Sequence, residues 1–295
     1  MKSLLAAATI CFYLAAGSAQ SNSLNLAVIA YEKGHYENAW NNANAALQAP
    51  QNLDEQSHIQ ALLIRASSGA RMAYKIFTEG EEAEMKQNLE LPLQAYHDFK
   101  ELLHRGDSAS IAAITPEFYK LGHALYLTGT EYDKQNADNE KPDTLLLNKS
   151  IECYSATIEL WQHVNKLKYK PYYYRGDAYL AKKKYDKAVD DFTRAIELYA
   201  AAARKTPDLG IGDLGYRLAY TQAGIFNQKE AALKTIRLAK ELLDKEMLLA
   251  ESKKDKLAEI FEDIKTEYDY LTGELNDLEA SVKNESVKGA PKKMQ

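Results

Sequence analysis

The chain has 295 residues, is 46% hydrophobic and carries 42 acidic against 37 basic side chains. Its 14 glycines and seven prolines are too few for a collagen-like, mucin-like or wholly disordered chain. Valine occurs only five times beside abundant alanine, leucine, lysine and glutamate, which favours an all-α fold. A mildly acidic chain also lacks the positive footprint of nonspecific nucleic-acid binding, so we expect no nucleic-acid partner.

Residues 1–19 have the three parts of a secretory signal peptide. Lys2 supplies the charge, residues 4–16 form a short apolar stretch, and residues 17–19 form a small-residue cleavage site. The stretch is too short to span a bilayer, and no other uncharged apolar run of about 18 residues exists. We therefore expect a soluble protein, exported to the periplasm or the extracellular space, with no integral membrane segment after signal cleavage.

The cysteine in the signal raises the alternative of a lipid anchor. A bacterial lipoprotein signal needs a small residue before its cysteine, but Ile10 precedes Cys11, which disfavours the anchor. Removal of the signal leaves Cys153 as the only thiol, so no internal disulfide is possible. Stability must then come from packing.

Helical patterns in which small and large side chains alternate begin directly after the signal. The first unit, near residues 20–50, places Gly34 and Tyr36 before Ala39 and two further alanines at helical spacing. Residues 54–106 form a second unit, which is helical by its apolar periodicity and follows the alternation only loosely.

A third unit, near residues 115–165, opens with Thr115 and Pro116, a favourable pair for a helix start. Its second helix comes later than the spacing of the other units requires. The polar stretch 133–143 accounts for the excess, and we interpret it as an extended helix end followed by a loop.

The fourth unit, residues 169–203, shows the alternation over its full length, and residues 207–250 form a fifth, degenerate unit. The large and small positions of the fourth unit are Tyr172, Gly176, Tyr179, Tyr185, Ala188, Phe192 and Ala195.

This pattern of large and small residues resembles the tetratricopeptide repeat over one complete unit. The resemblance implies a right-handed α-solenoid of helix-turn-helix repeats, in which small residues let helix axes approach and aromatic residues fill the neighbouring grooves. It also implies a non-enzymatic scaffold for protein–protein interaction, because the first helices of successive repeats in this family line a concave groove that receives a peptide or protein segment.

Residues 251–283 predict a long amphipathic helix with an apolar seam. Such a seam fits a helix that caps the solenoid, and it also fits a coiled coil that forms a homodimer. Capping is the commoner use of a terminal helix. Residues 284–295 are expected to form a disordered tail. The seam consists of Leu257, Phe261, Ile264, Tyr268, Leu271, Leu275 and Leu278.

Three sequence features could indicate a cofactor, metal or catalytic site, but each has a simpler structural explanation. Residues 210–215 read GIGDLG, yet a polar helix end and a proline precede this glycine motif instead of a strand, so we expect a loop between repeats. His97 and His104 have the wrong spacing for a metal site, and no motif supplies a base for Cys153. We therefore expect no cofactor, no metal and no catalytic residue.

Tyrosine is unusually frequent, with 20 in the chain. It combines a large contact area with a hydroxyl at low entropic cost, which suits a binding surface. We expect an unidentified protein or peptide to bind in a tyrosine-rich groove. The alternative is a secreted glycan-binding protein that stacks sugars on the same rings. The groove positions of the family fall on Tyr119, His123, Tyr126, Tyr173, Asp177, Leu180, Tyr216 and Tyr220.

Overall fold

The computed structural model describes residues 19–48, 53–105, 108–139 and 141–289. These residues form helices and short connections, and no strand occurs among them. The predicted all-α fold, in which helices pack on their neighbours in sequence, is confirmed. The α-helices are α1 (Ala19–Glu32), α2 (Tyr36–Leu47), α3 (Glu55–Glu79), α4 (Glu82–Gln87), α5 (Glu90–Arg105), α6 (Ser108–Ala137), α7 (Thr144–His163), α8 (Tyr169–Ala181), α9 (Tyr185–Ala201), α10 (Gly210–Gly224), α11 (Lys229–Glu251) and α12 (Phe261–Lys283).

The helices belong to two compact units. The first comprises α1 to α6 and the part of α7 from Glu152 onward. The second comprises residues 141–151, which include the start of α7, and the chain from Leu167 onward. In the second unit a helix contacts mainly the helices next to it in sequence, which is how repeats bury their apolar faces. In the first unit α3 packs on α2 and also on α5 and α6.

Small residues set the helix spacing in the first unit. Where α1 meets α2, Ala27 and Ala39 are fully buried, so the two backbones approach closely. On α6, a Cβ atom built at Gly122 would lie 2.5 Å from the indole nitrogen of Trp161 on α7. The missing side chain at Gly122 therefore makes room for the tryptophan, which is buried.

The start of α6 differs from the prediction. The sequence places a helix start at Thr115 and Pro116, but the helix begins at Ser108 and continues through Pro116. Proline inside a helix removes one main-chain donor and crowds the carbonyl four residues earlier. Ile114 is fully buried, and the Thr115 hydroxyl donates to the carbonyl of Ile111 at 2.8 Å. Packing and this side-chain hydrogen bond therefore retain a turn that proline disfavours.

Glycines also set the spacing in the second unit. A Cβ atom at Gly176 on α8 would lie 2.6 Å from the ring of Phe192 on α9, and Phe192 is fully buried. At Gly215 on α10, a Cβ atom would lie closer than 3 Å to that of Ala239 on α11. In both helix pairs, α8 with α9 and α10 with α11, one glycine therefore stands where a Cβ atom would clash with the neighbouring helix.

Residues 210–215 form the start of α10, so the prediction of a loop there is wrong. The glycines of this segment serve close packing rather than a turn. A Cβ atom at Gly212 would lie 3.0 Å from the side chain of Leu271 on α12. Buried Ile211 and Leu214 fix this segment in the core, which outweighs the low helix propensity of glycine.

The C-terminal helix α12 packs on α10 and α11. Its seam residues Leu271, Leu275 and Leu278 are buried, so the predicted apolar seam is used within the chain. Leu257 lies before the helix. At the edge of the seam, hydrogen bonds from Lys240 and Lys283 hold the pKa of Glu279 at about 2, below its ordinary value of 4.5. The Lys240 bond joins α11 to α12 at 2.5 Å.

Residues 284–289, which the sequence assigns to a disordered tail, make defined contacts with α10 and α11. Val287 packs against the core of the second unit and supplies the apolar contact. Residues 290–295 and residues 1–18 of the predicted signal peptide lie outside the described residues. No helix among the described residues has the length and apolarity that crossing a membrane requires.

Candidate functional site

Three of the predicted groove residues form one aromatic surface on α6 in the first unit. The rings of His123 and Tyr126 stack at 17°, with centroids 6.4 Å apart. The ring of Tyr119 stacks at 20° on Trp161, with centroids 5.9 Å apart. Tyr126 also lies 6.3 Å from Trp161. We call Tyr119, His123, Tyr126 and Trp161 the α6 aromatic surface.

The buried side chain of Trp161 supports the inner side of this surface. Its indole nitrogen donates to the main-chain carbonyl of Tyr119 at 3.2 Å. Tyr154 supports the other end, because its ring lies 6.2 Å from that of Tyr126 and its hydroxyl donates to Asp133 at 2.5 Å. Tyr119 retains 37% of its surface exposed. The exposed ring is therefore already ordered, which lowers the entropic cost of binding.

Two further predicted residues, Tyr216 and Tyr220, lie about one helical turn apart on α10 in the second unit. Their ring centroids are 5.8 Å apart, and both side chains are half-buried. Burial, reinforced by the carboxylate of Glu274, raises the pKa of Tyr216. The Tyr216 hydroxyl therefore keeps its proton at neutral pH and can donate to a ligand. We call Tyr216 and Tyr220 the α10 tyrosine pair.

Tyr173 and Asp177 on α8 belong to an ionic cluster inside the second unit. The Tyr173 hydroxyl donates to the carboxylate of Asp213 on α10. Arg217, one turn further along α10, donates to Asp213 at 2.9 Å and lies 3.1 Å from the carboxylate of Asp177. We call these four residues the Arg217 cluster, and it joins α8 to α10.

In the Arg217 cluster one guanidinium lies beside two carboxylates. Burial raises the pKa of Tyr173, and the charge of Asp177 raises it further. Burial alone would lower the pKa of Arg217, but the carboxylates of Asp177 and Asp213 outweigh burial and the pKa lies above its ordinary value. The arginine is thus a permanent cation with only 6% of its side chain exposed. Tyr173 and Asp177 use their polar atoms to hold two hairpins together.

Leu180, the remaining predicted groove residue, lies in the core of the second unit with 9% of its surface exposed. Sequence reasoning did not single out Asp213 and Arg217. Their spacing of four residues on a helix is a detectable signal of an ion pair. Their contact with α8 depends on how two hairpins stack, so no local sequence pattern could have predicted this contact.

Cys153 and His97 are the residues to which the sequence could have given a chemical role. Cys153 is a buried thiol. His97 is exposed, and its ring nitrogen lies 3.3 Å from the carboxylate of Glu152. Within the described ranges, no three histidine, cysteine, aspartate or glutamate side chains form a group that could hold a metal ion.

Comparison with protein families identifies the hairpin of α8 and α9. The family model of the tetratricopeptide repeat matches residues 169–200. The chain contains a tetratricopeptide repeat. The Gly176–Phe192 contact lies at the centre of this repeat, and Tyr173 and Asp177 connect the repeat to α10. A tetratricopeptide repeat points to a scaffold for protein–protein interaction. No curated protein matches the chain in sequence.

Proposed function

We propose that the chain is an exported, non-enzymatic scaffold that binds a peptide segment of another protein. The ligand contact is the α6 aromatic surface of the first unit, and the α10 tyrosine pair is a separate candidate contact of the second unit. The observation that carries the proposal is the partly exposed Tyr119 ring stacked on the buried indole of Trp161. A rigid aromatic anchor of this kind is typical of residues that dominate the energy of an interface.

Binding in this proposal is noncovalent. A peptide buries its apolar side chains against the tyrosine rings, and the ring hydroxyls orient its main chain by hydrogen bonds. A single aromatic surface of modest area gives an affinity of roughly micromolar, or about 8 kcal/mol. Tyr173 and Asp177 position α10 through the Arg217 cluster and are not ligand contacts in this proposal.

Replacement of Tyr119 tests the role of the exposed ring. Peptides would be selected from a displayed random library on the full chain, and their dissociation constants measured by calorimetry. We expect Tyr119→Ala to weaken a selected peptide about tenfold, because an anchor ring contributes more than about 1 kcal/mol. The matched control is Leu238→Ala on α11, where the leucine has 36% of its surface exposed against 37% for Tyr119.

Equal affinities for wild type, Tyr119→Ala and Leu238→Ala would remove the α6 aromatic surface from the binding site. A glycan array provides the second arm. Binding of sugars together with failure to select any peptide would favour the glycan-binding alternative, because stacked rings also suit sugar faces.

Export is the remaining part of the proposal. On expression of the full chain in a Gram-negative host, we expect a periplasmic product whose amino terminus, read by sequencing, lies near Gln20. Ala19→Asp should leave the precursor uncleaved, because the cleavage site needs a small residue. Cys11→Ser should be exported like wild type. A cytoplasmic product that retains residues 1–19 would contradict export.

A further inference from the structure

Helices α10 and α12 of the second unit lie side by side, and the α10 tyrosine pair lies along their contact. Near the start of α10, a Cβ atom built at Gly212 would lie 3.0 Å from the side chain of Leu271 on α12. At the end of α10, a Cβ atom at Gly224 would lie 3.2 Å from Cγ1 of Val287, just beyond α12. The chain therefore advances in the same direction along both helices, and the tyrosine pair lies between these two contacts.

Tyr270 and Glu274 occupy one side of α12. Each comes one residue before a buried leucine of the seam, whereas Glu279 comes one residue after Leu278. Because one residue turns a helix by about 100°, the two groups lie on opposite sides of the seam. The Glu279 side faces α11, where the carboxylate lies 2.5 Å from the ammonium of Lys240. Tyr270 and Glu274 therefore lie on the other side, away from α11.

Electrostatics place this side of α12 beside the tyrosine pair. Burial raises the pKa of Tyr216, and the charge of Glu274 raises it further, followed by the phenol groups of Tyr220 and Tyr270. Such effects fall with distance, so Glu274 and Tyr270 lie close to Tyr216. Tyr270 retains 44% of its surface exposed, and the other three side chains are half-buried. We call Tyr216, Tyr220, Tyr270 and Glu274 the α10–α12 surface.

The α10–α12 surface carries a negative charge. Glu279 is paired with Lys240 and Lys283, whereas Glu274 forms no ion pair within the described part of the chain. The adjoining Arg217 cluster adds two carboxylates with 23% and 21% exposure, but the side chain of its arginine is only 6% exposed. Solvent therefore meets carboxylates and aromatic rings here, and the one cation of these two groups of residues is buried.

We propose that the α10–α12 surface binds an arginine side chain of a partner protein segment. The faces of tyrosine rings carry the negative end of the ring quadrupole and attract a cation placed over them. A planar guanidinium can stack on a ring while its forked donors bond to a carboxylate, here that of Glu274, whereas an ammonium acts only as a point charge. This inference rests on the proposed function, since it names the chemistry of the segment that the α10 tyrosine pair takes.

Two fluorescent peptides test the charge of the ligand. The first, acetyl-GARARAG-amide, carries two arginines, and the second has citrulline, which is uncharged and of nearly the same shape, in both places. We expect the full chain to bind the arginine peptide about tenfold more tightly, because citrulline loses both the cation–π contact and the charge-assisted hydrogen bond. Anisotropy measures both affinities at low ionic strength, where exposed charges are least screened. Equal affinities would overturn the proposal.

Glu274→Gln removes the carboxylate from the α10–α12 surface at nearly constant shape. We expect the arginine peptide to bind about fivefold more weakly to this variant, and the citrulline peptide to bind as it does to wild type. The matched control is Glu241→Gln on α11, an exposed glutamate whose loss changes the net charge equally. Equal losses from the two substitutions would reveal only a long-range effect of charge and would overturn the site.

Substitutions of Tyr270 test the rings without threatening the fold, because this side chain is exposed. Tyr270→Leu keeps apolar bulk and removes the ring, so the arginine peptide should bind about threefold more weakly. Tyr270→Phe keeps the ring face and should restore most of that loss. If Tyr270→Leu binds the arginine peptide as tightly as wild type does, the ring contact on which the proposal depends is overturned.

The chain's own tail also carries cations, Lys292 and Lys293, which lie outside the described residues. The double variant Lys292→Gln with Lys293→Gln should bind the arginine peptide as wild type does. A large gain in affinity would show that an attached competitor, present at high effective concentration, occupies the surface. That result would overturn an external partner.

Comparison with the Tyr119→Ala experiment separates this inference from the proposed function. If library peptides depend on Tyr119 while the arginine peptide fails to bind, the arginine site alone falls. If the arginine peptide binds through Tyr270 while Tyr119→Ala changes nothing, the α6 aromatic surface falls and the arginine site stands. Failure of both measurements overturns the proposed function as well.

Discussion

Gly215→Ala is expected to lower the free energy of unfolding by about 1–3 kcal/mol, whereas Gly273→Ala should raise it by up to about 1 kcal/mol. Both glycines lie inside helices, α10 and α12, where alanine has the higher propensity. Their surroundings differ. A Cβ atom at position 215 would fall closer than 3 Å to that of Ala239, and a Cβ atom at position 273 would meet nothing within 4 Å. Packing therefore decides the sign at Gly215, and helix propensity decides it at Gly273.

The double variant Gly215→Ala with Ala239→Gly is the control for the Gly215 prediction. It moves one methyl group from α11 to α10 and leaves the total volume at the contact unchanged. We expect it to recover part of the loss, with a coupling energy of about 1 kcal/mol or more, although glycine within α11 itself costs about 1 kcal/mol. Strict additivity of the two single substitutions would contradict steric contact as the cause.

Urea denaturation measures these variants, and two probes separate the units. Circular dichroism follows helices of both units. Tryptophan fluorescence follows the first unit alone, because both tryptophans of the chain, Trp40 and Trp161, lie there. The Gly215→Ala change should shift the circular dichroism transition, and we expect the fluorescence midpoint to move less. If circular dichroism and fluorescence give different transitions, each transition is fitted separately, because a single two-state free energy is then undefined.

The helical fold could be predicted because its signal is local. Alternating small and large residues, as at Gly176 and Phe192, encode the contact between the two helices of one hairpin. The sequence predictions were wrong where packing overrides a local rule. Proline normally starts or breaks a helix, yet α6 runs through Pro116 because Ile114 is buried before it. Glycines normally mark turns, yet those of residues 210–215 bring α10 against its neighbours.

The candidate site could be predicted only in part, because a family position does not say what else a side chain contacts. Tyr119 and Tyr126, which the family's groove positions predicted as neighbours, lie on one surface. Tyr173 occupies an equivalent position, but its hydroxyl is bonded to Asp213 across a hairpin boundary. The packing of residues 284–289 was not predicted, because Val287 is a single apolar residue in a polar segment. Its contact with Gly224 depends on how α12 packs against α10, which no local pattern reports.

Arg217→Met is expected to destabilise the second unit by about 2–4 kcal/mol. Removal of the guanidinium leaves the carboxylates of Asp177 and Asp213 without their cation in a partly desolvated position, and an uncompensated buried charge costs about 3–5 kcal/mol. The expected value is somewhat smaller because the two carboxylate side chains retain 23% and 21% exposure. Urea denaturation at pH 7 measures the loss.

Arg194→Met is the matched control for Arg217→Met. Arg194 also forms an ion pair, at 2.7 Å to Glu197, but the two side chains are 47% and 57% exposed. Such a pair contributes about 0–1 kcal/mol because water and salt screen it. Equal losses for Arg194→Met and Arg217→Met would show that burial of the Arg217 cluster carries no energetic weight.

Removing the carboxylates along with the arginine tests the cause directly. In Arg217→Met with Asp177→Asn and Asp213→Asn, no uncompensated charge is left, so most of the lost stability should return. The single substitution Asp177→Asn distinguishes a structural role of Asp177 from a role in ligand binding. A residue that joins α8 to α10 lowers stability when it is changed, whereas one that only orients a ligand lowers peptide affinity and leaves the urea midpoint in place.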